Sequence, residues 1–285
     1  MKTKRRAAIT PGIDKGSVTL KKLPISGLGT YTVIYLAFIY LPVLFLPLFS
    51  FNDAIYVAFP LKSFTFQWYE KMADSQGLLA AFENSIKVGI SVSVISTIFG
   101  TLAAKAFTRY NIPFNRPIKG FIAVPLVIPL IILGISLMVV LNRAGIELSL
   151  FTIALGHVVI CVPFSMLVMM SRLEGFDKGL EEAAQDLGET PWMTFWRVTF
   201  PLAMPGIVAS LLLCFTISFD EFLLAFFLAG DQATLPVYIW SQLRFPNKLP
   251  SVLALGSCIL VASAVIVILA ELVRRLGVQA PKEGQ

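Results

Sequence analysis

Residues 182–188 read Glu182-Ala183-Ala184-Gln185-Asp186-Leu187-Gly188, a short charged segment that separates two apolar runs of membrane length. Pro201 opens the second of these runs. A bilayer protein has little reason to keep such a helix-prone segment at the membrane surface unless another molecule docks on it. The segment therefore predicts a membrane-spanning fold with a docking surface on one side.

The composition places the chain in a membrane. Of its 285 residues, 56% are hydrophobic and 14% are charged, whereas a soluble domain carries about 25% charged residues. The formal net charge is +6, but the basic residues lie in loops, where they act as topology signals. We expect contact with membrane lipid and no binding of nucleic acid, because no basic-aromatic motif is present.

The hydropathy pattern sets the fold class. A transmembrane helix needs about 20 apolar residues, and six runs meet this requirement: 30–51, 85–107, 118–141, 150–170, 202–228 and 251–273. The sequence predicts an all-α polytopic membrane protein with six transmembrane helices. Residues 1–29 form an N-terminal tail, residues 30–273 the transmembrane domain with a loop at 173–201, and residues 274–285 a C-terminal tail. The first run is too long for a signal-peptide core and is expected to remain as an anchor.

The distribution of basic residues predicts the orientation. Seventeen Lys and Arg residues lie in the two tails and in the loops after the second and fourth runs, and five lie in the opposite loops. Cytoplasmic loops carry the excess of Lys and Arg. Both termini and the loop 173–201 are therefore expected in the cytoplasm, in a bacterial inner membrane.

Capping signals predict a short helix within residues 173–187 of this loop. Asp177 is the expected N-cap, since its carboxylate can accept backbone amide hydrogens of the first turn. Gly188 stands where a helix ends in a left-handed conformation. One shallow apolar stripe is expected on this helix, formed by Leu180, Ala183, Ala184 and Leu187.

A second short helix is expected to start at Pro191 with Thr190 as its cap. Three aromatic residues are expected to fold it back on the first helix, as a helix–turn–helix along the membrane surface: Trp192, Phe195 and Trp196. Residues 172–197 contain six acidic and three basic side chains. A hairpin that rests on anionic lipid would carry a basic polar face, so the acidic face favours a protein partner.

The spacing of the loop resembles a known pattern, E-A-A-x-x-x-G, nine residues, then I-x-L-P, which is the cytoplasmic "EAA" loop of ABC-importer permeases. The last part reads Val198-Thr199-Phe200-Pro201, with two conservative departures. Other segments resemble the second permease of spermidine/putrescine-type ABC importers: 48–52, 84–86, 156–157, 161–164, 171–173 and 218–222. The resemblance extends over residues 31–273.

This resemblance implies a six-helix type I importer permease (MetI-like) fold. It implies that a second permease subunit, two cytoplasmic ABC ATPase subunits and an external solute-binding protein are partners. It assigns the contact with the ATPase to Glu182, Ala183, Ala184, Asp186, Leu187, Gly188 and Pro201. The sequence has no phosphate-binding loop of the type G-x-x-x-x-G-K-[ST], so we expect no cofactor in this chain, with ATP and Mg²⁺ bound by the partner ATPase.

Two acidic residues, Asp220 and Glu221, lie inside the fifth apolar run. Charged residues within a membrane span are functional by default because their insertion is costly. One reading places them with Ser218 on the pathway of a cationic solute, such as putrescine or spermidine. The other makes them a structural pair bonded to the partner permease or to backbone at a helix break. The motif also fits importers of opines, amino-acid derivatives, thiamine, ferric iron or phosphonates.

Catalytic and metal sites are not indicated. The single histidine, His157, is expected to be a packed, hydrogen-bonded residue. The three cysteines lie in separate apolar runs without metal-ligand spacing. Neither H-E-x-x-H nor G-x-S-x-G occurs, which leaves an intramembrane enzyme as a remote alternative to a transport subunit.

Overall fold

The computed structural model describes residues 27–57 and 59–277, and most of this part of the chain is helical. Its α-helices in chain order are α1 Gly27–Ser50, α2 Gln67–Ala73, α3 Gln76–Arg109, α4 Asn115–Ala123, α5 Leu130–Arg143, α6 Leu150–Glu174, α7 Gly179–Asp186, α8 Pro191–Thr194, α9 Phe200–Asp220, α10 Leu223–Leu228, α11 Leu235–Leu243 and α12 Leu249–Gly277. Short 3₁₀ turns occupy Val124–Leu126 and Pro246–Lys248, and a π-helical segment occupies Phe195–Thr199. The predicted all-α class is confirmed.

Five helical stretches are long and apolar enough to cross a membrane, and a sixth is counted when α4 and α5 form one broken span. This pair bends by 96° between Leu126 and Leu130. Pro125 lies in the 3₁₀ turn and Pro129 stands directly before α5. Because proline cannot donate a backbone hydrogen bond and crowds the preceding turn, the two prolines account for the break. Five of the six predicted spans are present as helices of membrane length, and the third is a broken pair that counts as a span only when its two parts are taken together.

The chain divides into two compact units, residues 1–46 and 47–285. In the first unit, the structure describes Gly27–Leu46 of α1, an apolar helix segment in which the rings of Tyr31 and Tyr35 stack with centroids 6.2 Å apart. The packing described below lies within the second unit.

Helices α3, α6 and α9 form the centre of the second unit through small and polar side chains. Thr97 on α3 hydrogen-bonds Ser210 on α9 at 3.2 Å, and the Ser210 hydroxyl donates to Ser165 on α6 at 2.7 Å. Gly100 lets α3 approach α6 so closely that a Cβ there would overlap the Ser165 side chain and lie 2.8 Å from the backbone nitrogen of Met166. In a bilayer, close backbone packing and interhelical hydrogen bonds hold helices together, since lipid tails are as apolar as the side chains.

An apolar cluster connects these helices with α5 and α10. Its buried members are Val88, Val92, Leu133, Leu141, Ile153, Ile160, Cys161, Cys214, Leu224, Ala225 and Leu228. Cys161 and Cys214 are free thiols that pack here as small apolar groups. The cluster holds α10 against the bundle, and α10 is the half-helix that follows the two acidic residues.

The predicted fifth span, residues 202–228, is not continuous. Helix α9 ends at Asp220, Glu221 has extended backbone angles, and α10 begins at Leu223. The tail boundaries also differ from prediction, because α1 begins at Gly27 and α12 continues to Gly277. The remainder of the predicted tails, residues 1–26 and 278–285, lies outside the described residues.

The close approach of α3 and α6 gives a testable consequence. We expect Gly100→Ala to lower the free energy of unfolding by about 1–3 kcal/mol, because an added methyl group must push apart two packed helices. The measurement is the unfolding transition of the detergent-solubilised protein. Gly120→Ala is the matched control, since no heavy atom lies within 4 Å of the position that its added methyl group would take. Equal transitions for both variants would contradict the packing described for Gly100.

Candidate functional site

Helix α7 is the charged segment that the sequence singles out. It begins at Gly179, because α6 ends at Glu174 and the chain turns between the two helices. Asp177 Oδ1 accepts a hydrogen bond from the backbone nitrogen of Gly179 at 2.9 Å. The short helix predicted within residues 173–187 is confirmed, and Asp177 accepts a backbone amide hydrogen as expected, but the N-cap position itself is Lys178. Gly175 is a poor helix former, and the Asp177 side chain competes for a backbone amide.

The C-terminal end of α7 matches the prediction from Gly188. This glycine has φ +94°, and its nitrogen bonds the carbonyl oxygen of Gln185 at 2.9 Å. The nitrogen of Glu189 bonds the carbonyl oxygen of Ala184 at 3.1 Å. This pair of bonds is a Schellman motif, which satisfies the last carbonyl groups of the helix. The turn therefore ends α7 sharply after two helical turns.

One face of α7 is not covered by the described part of the chain. Leu187 is 88% exposed and Leu180 is 50% exposed. Ala183 between them is also exposed, while Ala184 is half-buried. Two acidic side chains, Glu182 and Asp186, are exposed beside this stripe. The predicted apolar stripe is present, with small residues at its centre and a negative border.

A neighbouring face of α7 is attached to the bundle by Glu181, an acidic residue of the first helical turn. Its Oε1 accepts hydrogen bonds from Arg109 Nε at 3.1 Å and from the Thr199 hydroxyl at 2.9 Å. Arg109 is the last residue of α3, and Thr199 ends the π-helical segment before α9. The sequence shows an acidic pair here, Glu181 and Glu182, but does not indicate which of the two carboxylates bonds within the chain.

The second helix of the loop differs from its predicted role. Thr190 accepts a hydrogen bond from the backbone nitrogen of Met193 at 3.3 Å, and Pro191 is the first helical residue, as expected. However, α8 runs through the π-helical segment directly into α9, where Pro201 occupies the first turn. Aromatic side chains pack on one another along this continuous helix: Trp192, Phe195, Trp196 and Phe200. The second helix does lie against α7, as predicted. The aromatic rings contact one another, however, and Trp192 remains 68% exposed.

The break at the end of α9 places the two acidic residues in different surroundings. Glu221 Oε1 accepts a hydrogen bond from the backbone nitrogen of Leu224 at 3.0 Å. Its carboxylate thereby satisfies an amide of the first turn of α10, where negative charge also suits the helix dipole. This geometry agrees with the structural reading of Glu221, as a carboxylate bonded to backbone at a helix break.

Asp220 is placed differently. It is the last residue of α9, and its side chain is exposed. Within residues 27–57 and 59–277, the carboxylate of Asp220 makes no hydrogen bond or ion pair with another side chain. A negative charge at the negative end of a helix dipole is unfavourable, so its position is not explained by the stability of α9.

Ser218 lies inside the bundle rather than on an open pathway. It is 4% exposed, and its hydroxyl is 2.8 Å from Nδ1 of His157 on α6. The packed, hydrogen-bonded state predicted for His157 is confirmed, since this residue is fully buried. The assignment of Ser218 to a solute pathway needs correction: its side chain connects α6 to α9 directly below the break.

Comparison with known proteins decides the family. Residues 96–276 match the family described as binding-protein-dependent transport system inner membrane component. The chain belongs to this family. The permease is 33% identical over 248 residues to the spermidine/putrescine transport system permease protein PotC of Escherichia coli strain K12, covering 87% of this chain and 93% of that protein. It is also 33% identical over 239 residues to the putrescine transport system permease protein PotI of the same strain, covering 80% and 84%.

Solved structures support the fold. A bacterial ABC transporter involved in the import of the acidic polysaccharide alginate matches with TM-score 0.64 and 18% identity, over 88% of this chain and 95% of that chain. A second structure, of a bacterial alginate ABC transporter in complex with a periplasmic protein bound to an alginate pentasaccharide, matches with TM-score 0.68 and 18% identity, over 89% and 94%. The importer-permease fold is confirmed. The permease is a multi-pass inner-membrane transport subunit and not an enzyme, so the intramembrane-enzyme alternative is set aside.

The Schellman turn of α7 gives a test within the loop. We expect Gly188→Ala to destabilise the end of α7 by about 1 kcal/mol, because a side chain at positive φ is strained. Hydrogen exchange of the amides of residues 183–189 should then be faster. Gly179→Ala is the control, since its added methyl group would meet Asp177 only at 3.4 Å, an ordinary contact distance. Unchanged exchange in Gly188→Ala would show that this turn does not hold the helix end.

Proposed function

We propose that this permease forms half of the translocation pathway of an ATP-driven importer for a small cationic solute, a polyamine such as putrescine or spermidine. The pathway is shared with a second permease subunit, an external protein delivers the solute, and two cytoplasmic ATPase subunits bind ATP and Mg²⁺. The observation that carries the proposal is the uncovered stripe of α7, centred on Ala183, in a member of this transport family. A shallow apolar face with an acidic border fits a groove on another protein.

The residues proposed to contact the ATPase lie on this uncovered side of α7. Glu182, Ala183, Asp186 and Leu187 are exposed on α7, and Ala184 lies at its edge. Gly188 ends the helix and Pro201 opens α9, so these two shape the loop rather than contact the ATPase. Both termini are placed in the cytoplasm, on the same side as α7, because the tails and this loop hold most of the Lys and Arg residues.

A cationic solute is favoured by the break after Asp220. The last carbonyl groups of a helix lack partners within the helix, so the end of α9 presents carbonyl oxygens and the exposed Asp220 carboxylate together. Half-helix ends of this kind coordinate cations in other transporters. Glu221 is occupied as the cap of α10, which leaves Asp220 as the acid available to a solute. The polyamine named for PotC and PotI fits this charge.

The docking proposal predicts a specific cross-link. In a variant without the native cysteines, Ala183→Cys should cross-link to the ATPase subunit through a short bifunctional reagent in the assembled importer. Leu79→Cys is the control: Leu79 is 49% exposed but lies in the first turn of α3, at the end opposite Arg109. A cross-link from both positions, or from neither, would count against α7 as the docking helix.

The role of Asp220 predicts a loss of transport with intact assembly. We expect Asp220→Asn to lower uptake of radiolabelled putrescine about tenfold, because a hydrogen bond to a charged group is worth about 1.5–3 kcal/mol. The control Asp231→Asn removes an exposed acid in the loop before α11. Normal uptake by Asp220→Asn would remove this residue from the pathway.

The solute class is tested separately with the unmodified importer. Uptake of putrescine and spermidine is compared with uptake of an opine, thiamine, ferric iron and a phosphonate. Transport of one of the latter group without any polyamine uptake would replace the polyamine assignment and leave the importer class intact.

A further inference from the structure

The contact between α7 and the bundle depends on one carboxylate oxygen. Glu181 Oε1 accepts from Arg109 Nε and from the Thr199 hydroxyl. Within the described ranges 27–57 and 59–277, Glu181 is the only side chain of α7 that hydrogen-bonds another helical segment. Three parts of the chain therefore meet at one atom: the C-terminal end of α3, the first turn of α7, and the start of α9.

This ion pair is shielded from water. The exposed fraction is 6% for the Arg109 side chain and 12% for the Glu181 side chain, and Thr199 is buried. The two other ion pairs of the described residues are more open: Glu83–Lys87 within α3 is largely exposed, and so is Arg197 in its pair with Glu189. An exposed ion pair contributes little to stability. Breaking a buried ion pair is costly, because the remaining partner is left as an uncompensated buried charge. Only the Arg109–Glu181 pair can hold α7 firmly.

The surroundings of the pair are also fixed. The guanidinium of Arg109 lies 5.7 Å from the ring centroid of Phe176, and that of Arg172 lies 5.5 Å from the same ring. Arg172 in turn donates to the carbonyl oxygen of Leu202 in the first turn of α9. Phe176 thus sits between two cations at the start of the loop. These contacts keep the Arg109 side chain in place, so it can orient Glu181.

The outward and inward faces of α7 therefore make different contacts. Glu182, Ala183 and Leu187 point away from the chain and are free for a partner, while Glu181 points inward. Adjacent residues of a helix point about 100° apart, so the neighbouring acids 181 and 182 serve different surfaces. Among the described residues, the Glu181 contact is the one side-chain hydrogen-bond link from α7 to α3 and α9, in addition to the backbone connections and the packing of α7 on α8 and the π-helical segment.

We propose that Arg109, Glu181 and Thr199 are positioning residues that join the docking helix to α3 and α9, so that a displacement of α7 moves both spans together. This inference rests on the proposed function, because it assumes that the ATPase moves α7. Without the ion pair, α7 stays docked on the ATPase but moves independently of the bundle. ATP hydrolysis then continues while transport fails to follow it.

The test measures transport per ATP hydrolysed in the complete importer reconstituted in liposomes, with putrescine as the probe. We expect Glu181→Gln and Arg109→Gln each to lower this ratio about fivefold, the size of effect that single residues have on coupling between sites. The Ala183→Cys cross-link to the ATPase should be retained. The exchanged pair, Arg109→Glu with Glu181→Arg, should recover part of the ratio. The matched control is Glu83→Gln, which removes an acid from an exposed ion pair at the other end of α3.

A second measurement does not depend on the solute. Spin labels at Gln185 on α7 and Leu102 on α3, both exposed, report the distance between the two helices in the full importer. Glu181→Gln should broaden this distance distribution, and Glu83→Gln should not. If Glu181→Gln or Arg109→Gln inserts poorly into the membrane, Thr199→Val is measured instead. This change removes the hydrogen bond from Thr199 to Glu181 and keeps both charges of the ion pair.

The outcomes separate the inference from the function on which it rests. An unchanged transport ratio and an unchanged distance distribution in a variant that lacks the contact would overturn the inference. A parallel loss of ATP hydrolysis and of the Ala183→Cys cross-link would overturn it too, since the contact would then only maintain the fold of α7. Absence of the cross-link in the unmodified importer would instead reject the docking proposal itself.

Discussion

The apolar interior of a bilayer requires every backbone amide and carbonyl group to find a partner within the protein, and the rest of this structure follows from that requirement. It explains why the described chain is built from helices, and why two of its interruptions carry a compensation for a missing amide bond. At the break after α9, the Glu221 carboxylate satisfies an amide of α10. At the bend between α4 and α5, two prolines lack the amide hydrogen that would otherwise need a partner.

The same environment determines how the spans are held together. Apolar side chains gain little by leaving lipid for protein, so small residues and hydroxyl groups carry the contacts. Gly100 brings α3 against α6, and the chain of hydroxyls from Thr97 through Ser210 to Ser165 links three helices. His157 and Ser218 continue this polar track toward the break. A hydrogen-bonded group of three helices therefore extends from the α7 contact toward Asp220, as the proposed transmission from the ATPase to the solute requires.

Some polar side chains of the permease hydrogen-bond within the chain, and others are exposed without such a bond in the described residues. Glu181, Glu221, Ser218 and His157 each bond within the chain. Asp220 and the outer face of α7 are exposed, and they are the positions at which we place the solute and the ATPase. Each of the two acidic pairs, 181–182 and 220–221, thus contains one member that supports the fold and one that is available to a partner. Adjacent positions on a helix point about 100° apart, so one member of each pair can bond within the chain while the other is exposed.

The sequence alone determined the features that depend on local chemistry or on the total number of apolar residues. Hydropathy predicted the helical class and the apolar spans, of which five are long helices and the third is a broken pair. Gly188 predicted the end of α7, Thr190 predicted the cap of α8, and the loop spacing indicated the family. Tertiary structure decided the remaining features, because contacts between residues far apart in the chain leave no repeating pattern in the sequence. The break at Glu221 depends on the packing of α10, the burial of Ser218 depends on His157 sixty-one positions away, and the inward turn of Glu181 depends on Arg109 at the end of another helix.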